Sequence, residues 1–232
     1  MIQLEEVTGL ATTHLETDPS IGKPVHKATV AAFLKLREAA ARDGVDIVAM
    51  SGFRGFEQQA AIWNAKWDGQ RTLYDKESRP VDHASLSPPE LARTILLWSA
   101  LPGASRHHWG TDIDVYDGRT KPESYAVQLL PAEYEAGGYF HDLHKWLVAN
   151  MGRYGFFFPY REDRGGISAE PWHISHAPVS VPALESLTVA LLEQTVSRGD
   201  IHGRDTVLDM LPEIHRRYVK NICPPGPEVA ME

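Results

Sequence analysis

Two short segments concentrate the side chains that could do chemistry: His107-His108-Trp109-Gly110-Thr111-Asp112-Ile113-Asp114 and Glu170-Pro171-Trp172-His173-Ile174-Ser175-His176. They hold four of the chain's eleven histidines, together with three carboxylates. A catalytic zinc site takes three protein ligands of nitrogen or oxygen type and keeps one position for water, so two His and one carboxylate would suffice. Asp112 and Asp114 both qualify as the carboxylate. A zinc ion would lower the pKa of water to about 7. Glu170 would then take the proton as water attacks an amide carbonyl and return it to the departing amine. That chemistry is amide hydrolysis without a covalent intermediate.

Spacing constrains how such a site forms. His107 and Asp114 are an odd number of residues apart and would point to opposite faces of one straight strand, so the chain must turn or bulge between them. Gly110 is placed to allow it, with Thr111 to Tyr116 as the strand that follows. Glu170 and His173 are also an odd number apart, and Pro171 disfavours a helix at Glu170. A kinked strand end would bring both to one site. A third element, Ser51-Gly52-Phe53-Arg54, sets an arginine just past a strand, where a guanidinium can clamp a carboxylate in bidentate fashion. An enzyme that cuts beside a free C-terminus needs such a clamp.

Taken singly, each residue has a plainer reading. A His in a Trp-rich segment is more often a hydrogen-bonded core residue than a ligand, and Arg54 alone reads as a surface or ion-pair residue. Asp112 and Asp114 could be loop carboxylates, and Trp109 and Trp172 are core or pocket-wall residues with no catalytic role. His108 and His176 are candidates for substrate contact or for outer partners of a ligand. Cys223 is the one cysteine and has no partner for an internal disulfide.

The elements that must position these residues follow from periodicity. Val25 to Asp43 reads as an amphipathic helix ending at Gly44, Asp46 to Ser51 as a strand, and Phe56 to Trp67 as a helix with Phe56, Ala60, Trp63 and Trp67 near one face. Asp68 to Ser85 has no clear period and reads as a long surface loop or insertion. Ser87-Pro88-Pro89-Glu90 carries a capping box and an early proline, starting a helix that runs to about Ser99. A helix from about His141 to Met151, β-prone Tyr154 to Tyr160, and extended Ala169 to His176 come next. Pro182 to Ile222 is helical by period, interrupted at Gly199 to Gly203.

We therefore expect one domain over 1–232, with a motif-bearing core at about 25–180 and a helical C-terminal extension at about 181–222. Its class is α+β, a small, mainly antiparallel sheet flanked by helices. A length of 232 residues, 43% hydrophobic and 23% charged, suits a globular chain. The net charge of −8 argues against nucleic acid as the main partner. No run approaches the length of a membrane span. Met1 to Gly22 carries Glu5, Glu6, Glu16 and Asp18 where a secretory signal would need an unbroken apolar stretch, so the chain reads as soluble, with its compartment open. Oligomeric state is not legible.

Ser51-Gly52-Phe53-Arg54 with Gln59, then Ser105-Arg106-His107-His108-Trp109-Gly110-Thr111-Asp112-Ile113-Asp114, then Glu170-Pro171-Trp172-His173, resemble in order the three signatures of the VanY-type D-alanyl-D-alanine carboxypeptidases. These are M15 peptidases, which share a fold with the DD-dipeptidases and the Hedgehog signalling domain. The resemblance covers Ser51 to His176. It implies one zinc ion on His107, Asp114 and His173, with Glu170 as general base and acid. It further implies Arg54 on the substrate's terminal carboxylate with Ser105 and Gln59 as helpers, a peptidoglycan stem peptide as substrate, and the cell envelope as the expected location. Activity as an LD-carboxypeptidase, DD-dipeptidase or cell-wall endopeptidase fits the same fold, as does a non-catalytic zinc-bearing module. One position departs: the middle signature, Ser-x-His-x-x-Gly-x-Ala-x-Asp, has alanine where this chain has Asp112. The added carboxylate either holds an Arg or Lys beside the site or favours a substrate with a free amine.

Overall fold

The computed structural model describes residues 3–231. Its centre is a four-stranded antiparallel sheet in the order β3 (Ile47–Ser51), β6 (Asp112–Asp117), β8 (His173–His176), β7 (Phe156–Phe157). Alternation along β6 sends Ile113 and Val115 to one face and Asp112 and Asp114 to the other. The apolar face packs on Phe33 and Leu36 of α2 (Lys27–Arg42), Leu143 and Leu147 of α5 (His141–Asn150), and on Phe156 and Trp172. Over the other face lies a second apolar cluster. It joins Trp109 and Phe157 to α3 (Phe56–Trp67), α4 (Pro88–Leu96) and the C-terminal helices α6 (Ala177–Ser186), α7 (Val189–Arg198), α8 (Arg204–Asp209) and α9 (Leu211–Ile214). The acidic face of β6 is thus enclosed by protein.

Local signals set several boundaries. α3 spans Phe56–Trp67 as its apolar spacing predicts. α4 starts on the Ser87/Glu90 capping box with Pro88 in its first turn but ends at Leu96, before the expected Ser99. α2 is capped by His26, whose Nδ1 accepts the Ala28 N–H at 3.1 Å. Trp63 donates its indole N–H to the His202 carbonyl at 3.1 Å, tying α3 to the turn between α7 and α8.

Other expectations are corrected. The residues before the first helix read from periodicity form α1 (Leu4–Val7) and a strand pair, β1 (Leu15–Thr17) with β2 (Pro24–His26), so that helix starts at Lys27 and not at Val25. Segment 68–85 is no plain loop: β4 (Leu73–Tyr74) and β5 (Pro80–Val81) form a minimal hairpin. In Tyr154 to Tyr160 only Phe156–Phe157 pairs as strand, and in Ala169 to His176 only His173–His176 does, because the Pro-containing part turns. The C-terminal helices begin at Ala177, with Pro182 inside α6, since Pro178 falls in the first turn where its missing N–H costs nothing. No helix among the described residues is long and apolar enough to cross a membrane.

Gly110 closes the turn before β6 in the left-handed region, at φ +66°. A Cβ there would lie 2.7 Å from the backbone nitrogen of His26, which cannot move aside because it bonds the Gly110 carbonyl. Gly110→Ala should lower unfolding stability by about 3 kcal/mol or more, measured by urea denaturation. Gly22→Ala is the control: at φ +69° an added Cβ meets nothing within 4 Å, so only the conformational cost of about 1 kcal/mol remains. Equal losses would show that the contact with His26 is not what requires glycine.

Burial, aided by the charge of a neighbouring histidine, pushes both His26 and His176 down from the ordinary 6.5 to about 4. Below pH 6.5 the unfolded chain takes up protons that the folded chain refuses, so stability increases with pH in this window. The contribution is complete above pH 6.5 and is lost as the pH falls towards 4. The urea midpoint should therefore decline on acidification over that range. His26→Asn, which keeps a capping oxygen but does not titrate, should decline less steeply; an unchanged slope would remove His26 from this account.

Candidate active site and metal centre

Register builds the site. Asp114 of β6 lies opposite Ser51 of β3 on one side and His173 of β8 on the other. The Ser51 hydroxyl donates to Asp114 Oδ2, and His173 Nδ1 lies 3.3 Å from Asp114 Oδ1. His107 arrives from a 3-10 turn, Arg106–Trp109, which the left-handed Gly110 ends, so the bend demanded by the odd spacing is present. Its Nδ1–H donates to the Gly52 carbonyl at 2.9 Å, leaving Nε2 to face Asp114 Oδ2 at 3.5 Å. One donor atom from each of His107, Asp114 and His173 lies within 4.8 Å of the others, and all three residues are buried.

Glu170 reaches the same place through a turn in which the His173 N–H bonds the Glu170 carbonyl at 3.1 Å, with Pro171 at the position where its fixed φ suits such a turn. Glu170 Oε2 comes 3.2 Å from His173 Nδ1, and its side chain is 12% exposed.

Asp114 Oδ1 is buried and lacks a hydrogen bond of acceptable geometry. An unsatisfied buried carboxylate oxygen beside two imidazole nitrogens is what a cation would complete, and this donor set suits zinc. Burial would push Asp114 up, but His107 and His173 outweigh it and hold the carboxyl well below the usual range. Burial pushes His107 down to about 4, leaving it neutral. For His173 burial acts downward too, yet the carboxylates of Asp112, Asp114 and Glu170 win and raise it. Burial raises Glu170, with His173 opposing.

Asp112 is fully buried on the same strand face. It takes Arg106 Nε at 2.7 Å, the Thr111 hydroxyl at 2.7 Å and the Ser175 hydroxyl at 3.1 Å, and its Oδ1 lies 2.9 Å from His173 Nε2. Of the two expectations for this carboxylate, the one realised is the arginine partner; a fully enclosed side chain meets no substrate amine.

His108 does not line the cavity. Its Nδ1–H donates to the Arg54 carbonyl at 2.6 Å and its Nε2 accepts the Gly103 N–H at 3.0 Å, so it fixes backbone. His176 points to the opposite sheet face, beside Phe156 and 3.1 Å from the Thr29 hydroxyl. Neither touches the His107, Asp114 and His173 cluster.

A cavity of about 300 Å³ opens over the cluster, lined by His107, Asp114, His173, Glu170, Arg54 and Ser105 among others. Arg54 Nη1 donates to Gln59 Oε1 at 3.0 Å, and Gln59 Nε2 to the Ala100 carbonyl at 2.7 Å. Gln59 is fully buried and outside the lining, so it acts on the cavity only by holding Arg54. The sequence reading missed Tyr160, whose ring packs edge-on to His173 at 5.0 Å, and Ser99, which accepts from Lys66 Nζ at 2.7 Å. Burial lowers Lys66 to about 8. The aromatic run Tyr154 to Tyr160 was the one available signal for Tyr160. The minimal hairpin also contributes Tyr74 to the wall.

Known proteins share this architecture. VanYB in complex with D-alanine-D-alanine matches with a TM-score of 0.50 at 22% identity, over 80% of this chain and 89% of that one. A vancomycin-resistance D,D-pentapeptidase VanY in complex with Zn(II) matches with a TM-score of 0.51 at 20% identity, over 85% and 92%. At such identities the likeness is one of fold. In sequence, an uncharacterized protein of Haemophilus influenzae is 35% identical over 121 residues, 51% of this chain and 92% of its own length. A D-alanyl-D-alanine carboxypeptidase of Enterococcus faecalis is 28% identical over 148 residues, 62% of this chain and 45% of its own length. The family model described as VanY, D-alanyl-D-alanine carboxypeptidase, matches residues 22–179, and the chain belongs to that peptidase family.

Proposed function

We propose that the protein is a zinc-dependent D-alanyl-D-alanine carboxypeptidase that removes the terminal D-alanine from peptidoglycan stem peptides. One observation carries the reading: a single cavity holds His107, Asp114 and His173, the free carboxylate of Glu170 and the guanidinium of Arg54. His107 through Nε2, Asp114, and His173 through Nδ1 would hold one zinc ion. Zinc bound there would polarise the scissile carbonyl and acidify water.

The remaining work falls to side chains. Arg54, kept in place by Gln59, pairs with the terminal carboxylate of the peptide, and Ser105 lines the wall beside it. This fixes the last peptide bond relative to Glu170. Glu170 takes the proton from water as its oxygen bonds to the carbonyl carbon, then delivers that proton to the amide nitrogen as the C–N bond breaks. The products are a shortened peptide with a new carboxylate and free D-alanine. A cavity of about 300 Å³ suits the end of a peptide more than its middle. Arg54 supports exopeptidase action for the same reason, because an internal bond offers no terminal carboxylate. The presence of Glu170 speaks against a non-catalytic module, which has no use for a free carboxylate beside the cluster.

The test is release of D-alanine from a stem pentapeptide by zinc-loaded protein. Glu170→Ala should lose about 10²–10⁴-fold in rate while retaining zinc. Release from a tetrapeptide in place of the pentapeptide would move the assignment to LD-carboxypeptidase. No release from any muropeptide, with zinc bound in both proteins, would sink the enzyme reading. The clamp has its own check. Arg54→Ala should raise KM about 10–100-fold for peptides with a free C-terminus, the scale of a charge-assisted hydrogen bond. Amidated peptides should change little, and equal effects on both would remove the clamp.

A further inference from the structure

We propose that Asp112, neutralised by Arg106, is a positioning residue for His173: it accepts the His173 Nε2 proton and thereby aims the Nδ1 lone pair into the metal cluster. The role rests on the reading of that cluster as a zinc site. The middle signature has alanine at this position, so the resemblance does not imply this role.

The two ring nitrogens of His173 face different partners. Nδ1 faces Asp114 at 3.3 Å and Glu170 at 3.2 Å, whereas Nε2 faces Asp112 Oδ1 at 2.9 Å. A neutral imidazole carries one proton, and its place is set by the better acceptor offered to the nitrogen that does not ligate. Asp112 is that acceptor. Outer partners of this kind fix tautomer and ring angle and strengthen the ligand as a donor.

A carboxylate buried on a sheet face cannot stand alone. Arg106 comes from the turn that carries His107 and places Nε 2.7 Å from Asp112 Oδ1 and Nη2 2.7 Å from the Ser175 hydroxyl, its guanidinium lying over the Trp109 ring at 4.7 Å. Ser175 in turn bonds Asp112 and Ser180. Asp112 and Ser175 are register partners across β6 and β8, so the strand pairing that sets Asp114 against His173 also sets Asp112 beneath it. Arg106 therefore links the turn bearing one candidate ligand to the strand bearing another. The pair is either a matched unit serving His173 or a structural ion pair that happens to lie beside it.

Removing both charges separates these two readings. Single removal leaves an uncompensated buried charge and is strongly destabilising, whereas replacing both partners by apolar groups is often neutral. The double variant Arg106→Met/Asp112→Ala also deletes Arg106 Nη1, a buried donor that has no partner. Its urea midpoint should stay close to that of the wild type, while its zinc dissociation constant, measured by chelator competition, rises about 10–100-fold. In the zinc-loaded wild type, ¹⁵N shifts should report His173 bound through Nδ1 with a protonated Nε2 that exchanges slowly with water. In the double variant that proton should exchange at the rate of an unbonded imidazole. Unchanged zinc affinity and unchanged exchange in a folded double variant would overturn the positioning role and leave the zinc site standing. A wild type that binds no zinc would overturn the reading of the site and this role together. Should the double variant not fold, Arg106→Leu/Asp112→Val, which also removes both charges and restores more of the lost volume, gives the same two readouts, and wild-type affinity there would count against the proposal.

Discussion

Asp114 sits in a central strand of a sheet enclosed on both faces, and a carboxylate in that place is tolerated only with partners on every side. Cross-strand pairing supplies them: the Ser51 hydroxyl from one neighbour, His173 from the other, and His107 from the turn that precedes the strand. The requirement runs both ways. A shift of register by one residue would carry Asp112 and Asp114 to the apolar face among Phe33, Leu36 and Trp172 and bring Ile113 to the site. The polar cluster thus helps to specify the sheet, and the sheet specifies the cluster. One oxygen of Asp114 stays unsatisfied even so, an expense the fold bears at the point where a cation would complete the group.

The same enclosure explains the electrostatics. Five titratable groups in one buried volume, His107, Asp112, Asp114, Glu170 and His173, cannot all carry their solution charges, and their environments push them apart. His107 is held neutral by burial, and its Nδ1–H donates to the Gly52 carbonyl, which leaves a lone pair on the inward nitrogen. Asp112 and Asp114 are both held below the usual carboxylate range, the first by the Arg106 guanidinium and the second by the imidazoles of His107 and His173. Glu170, with the fewest partners, is the carboxyl whose burial raises it, and a raised carboxyl is suited to taking and returning a proton. Differences in partner count, more than in residue type, separate the roles of three acidic side chains.

How far the sequence reaches follows from whether a signal is local. The α3 spacing and the Ser87 capping box are encoded within a few residues, and both elements start where they should. The bend at Gly110 was legible from parity alone, since an odd separation and a shared site are incompatible on a straight strand. Two-residue strands such as those of the small hairpin leave no periodicity to detect. The start of α6 at Ala177 was hidden because Pro182 suggested a boundary, whereas the helix tolerates it. Arg106 lies within a quoted motif, yet its service to Asp112 depends on a turn closing and two strands pairing, and neither is written in the five residues that separate them. Tyr160 and Ser99 were out of reach for the same reason.

The candidate carboxylate clamp and the candidate metal centre come from segments some fifty residues apart, yet their separation is fixed by backbone. His107 bonds the Gly52 carbonyl through Nδ1, the Arg54 N–H bonds the His107 carbonyl at 3.1 Å, and His108 bonds the Arg54 carbonyl. These three contacts lace Gly52-Phe53-Arg54 to the turn that carries His107. A guanidinium on a long side chain would otherwise sample many positions, and Gln59 removes that freedom at its far end. An exopeptidase needs a ruler from the terminal carboxylate to the bond that is cut, and a ruler is useful only if it does not stretch. In the proposed carboxypeptidase that length would be set by hydrogen bonds among main-chain groups and two histidines. On that proposal His108 has a use without lining the cavity: it helps to hold the distance between Arg54 and the His107, Asp114 and His173 cluster.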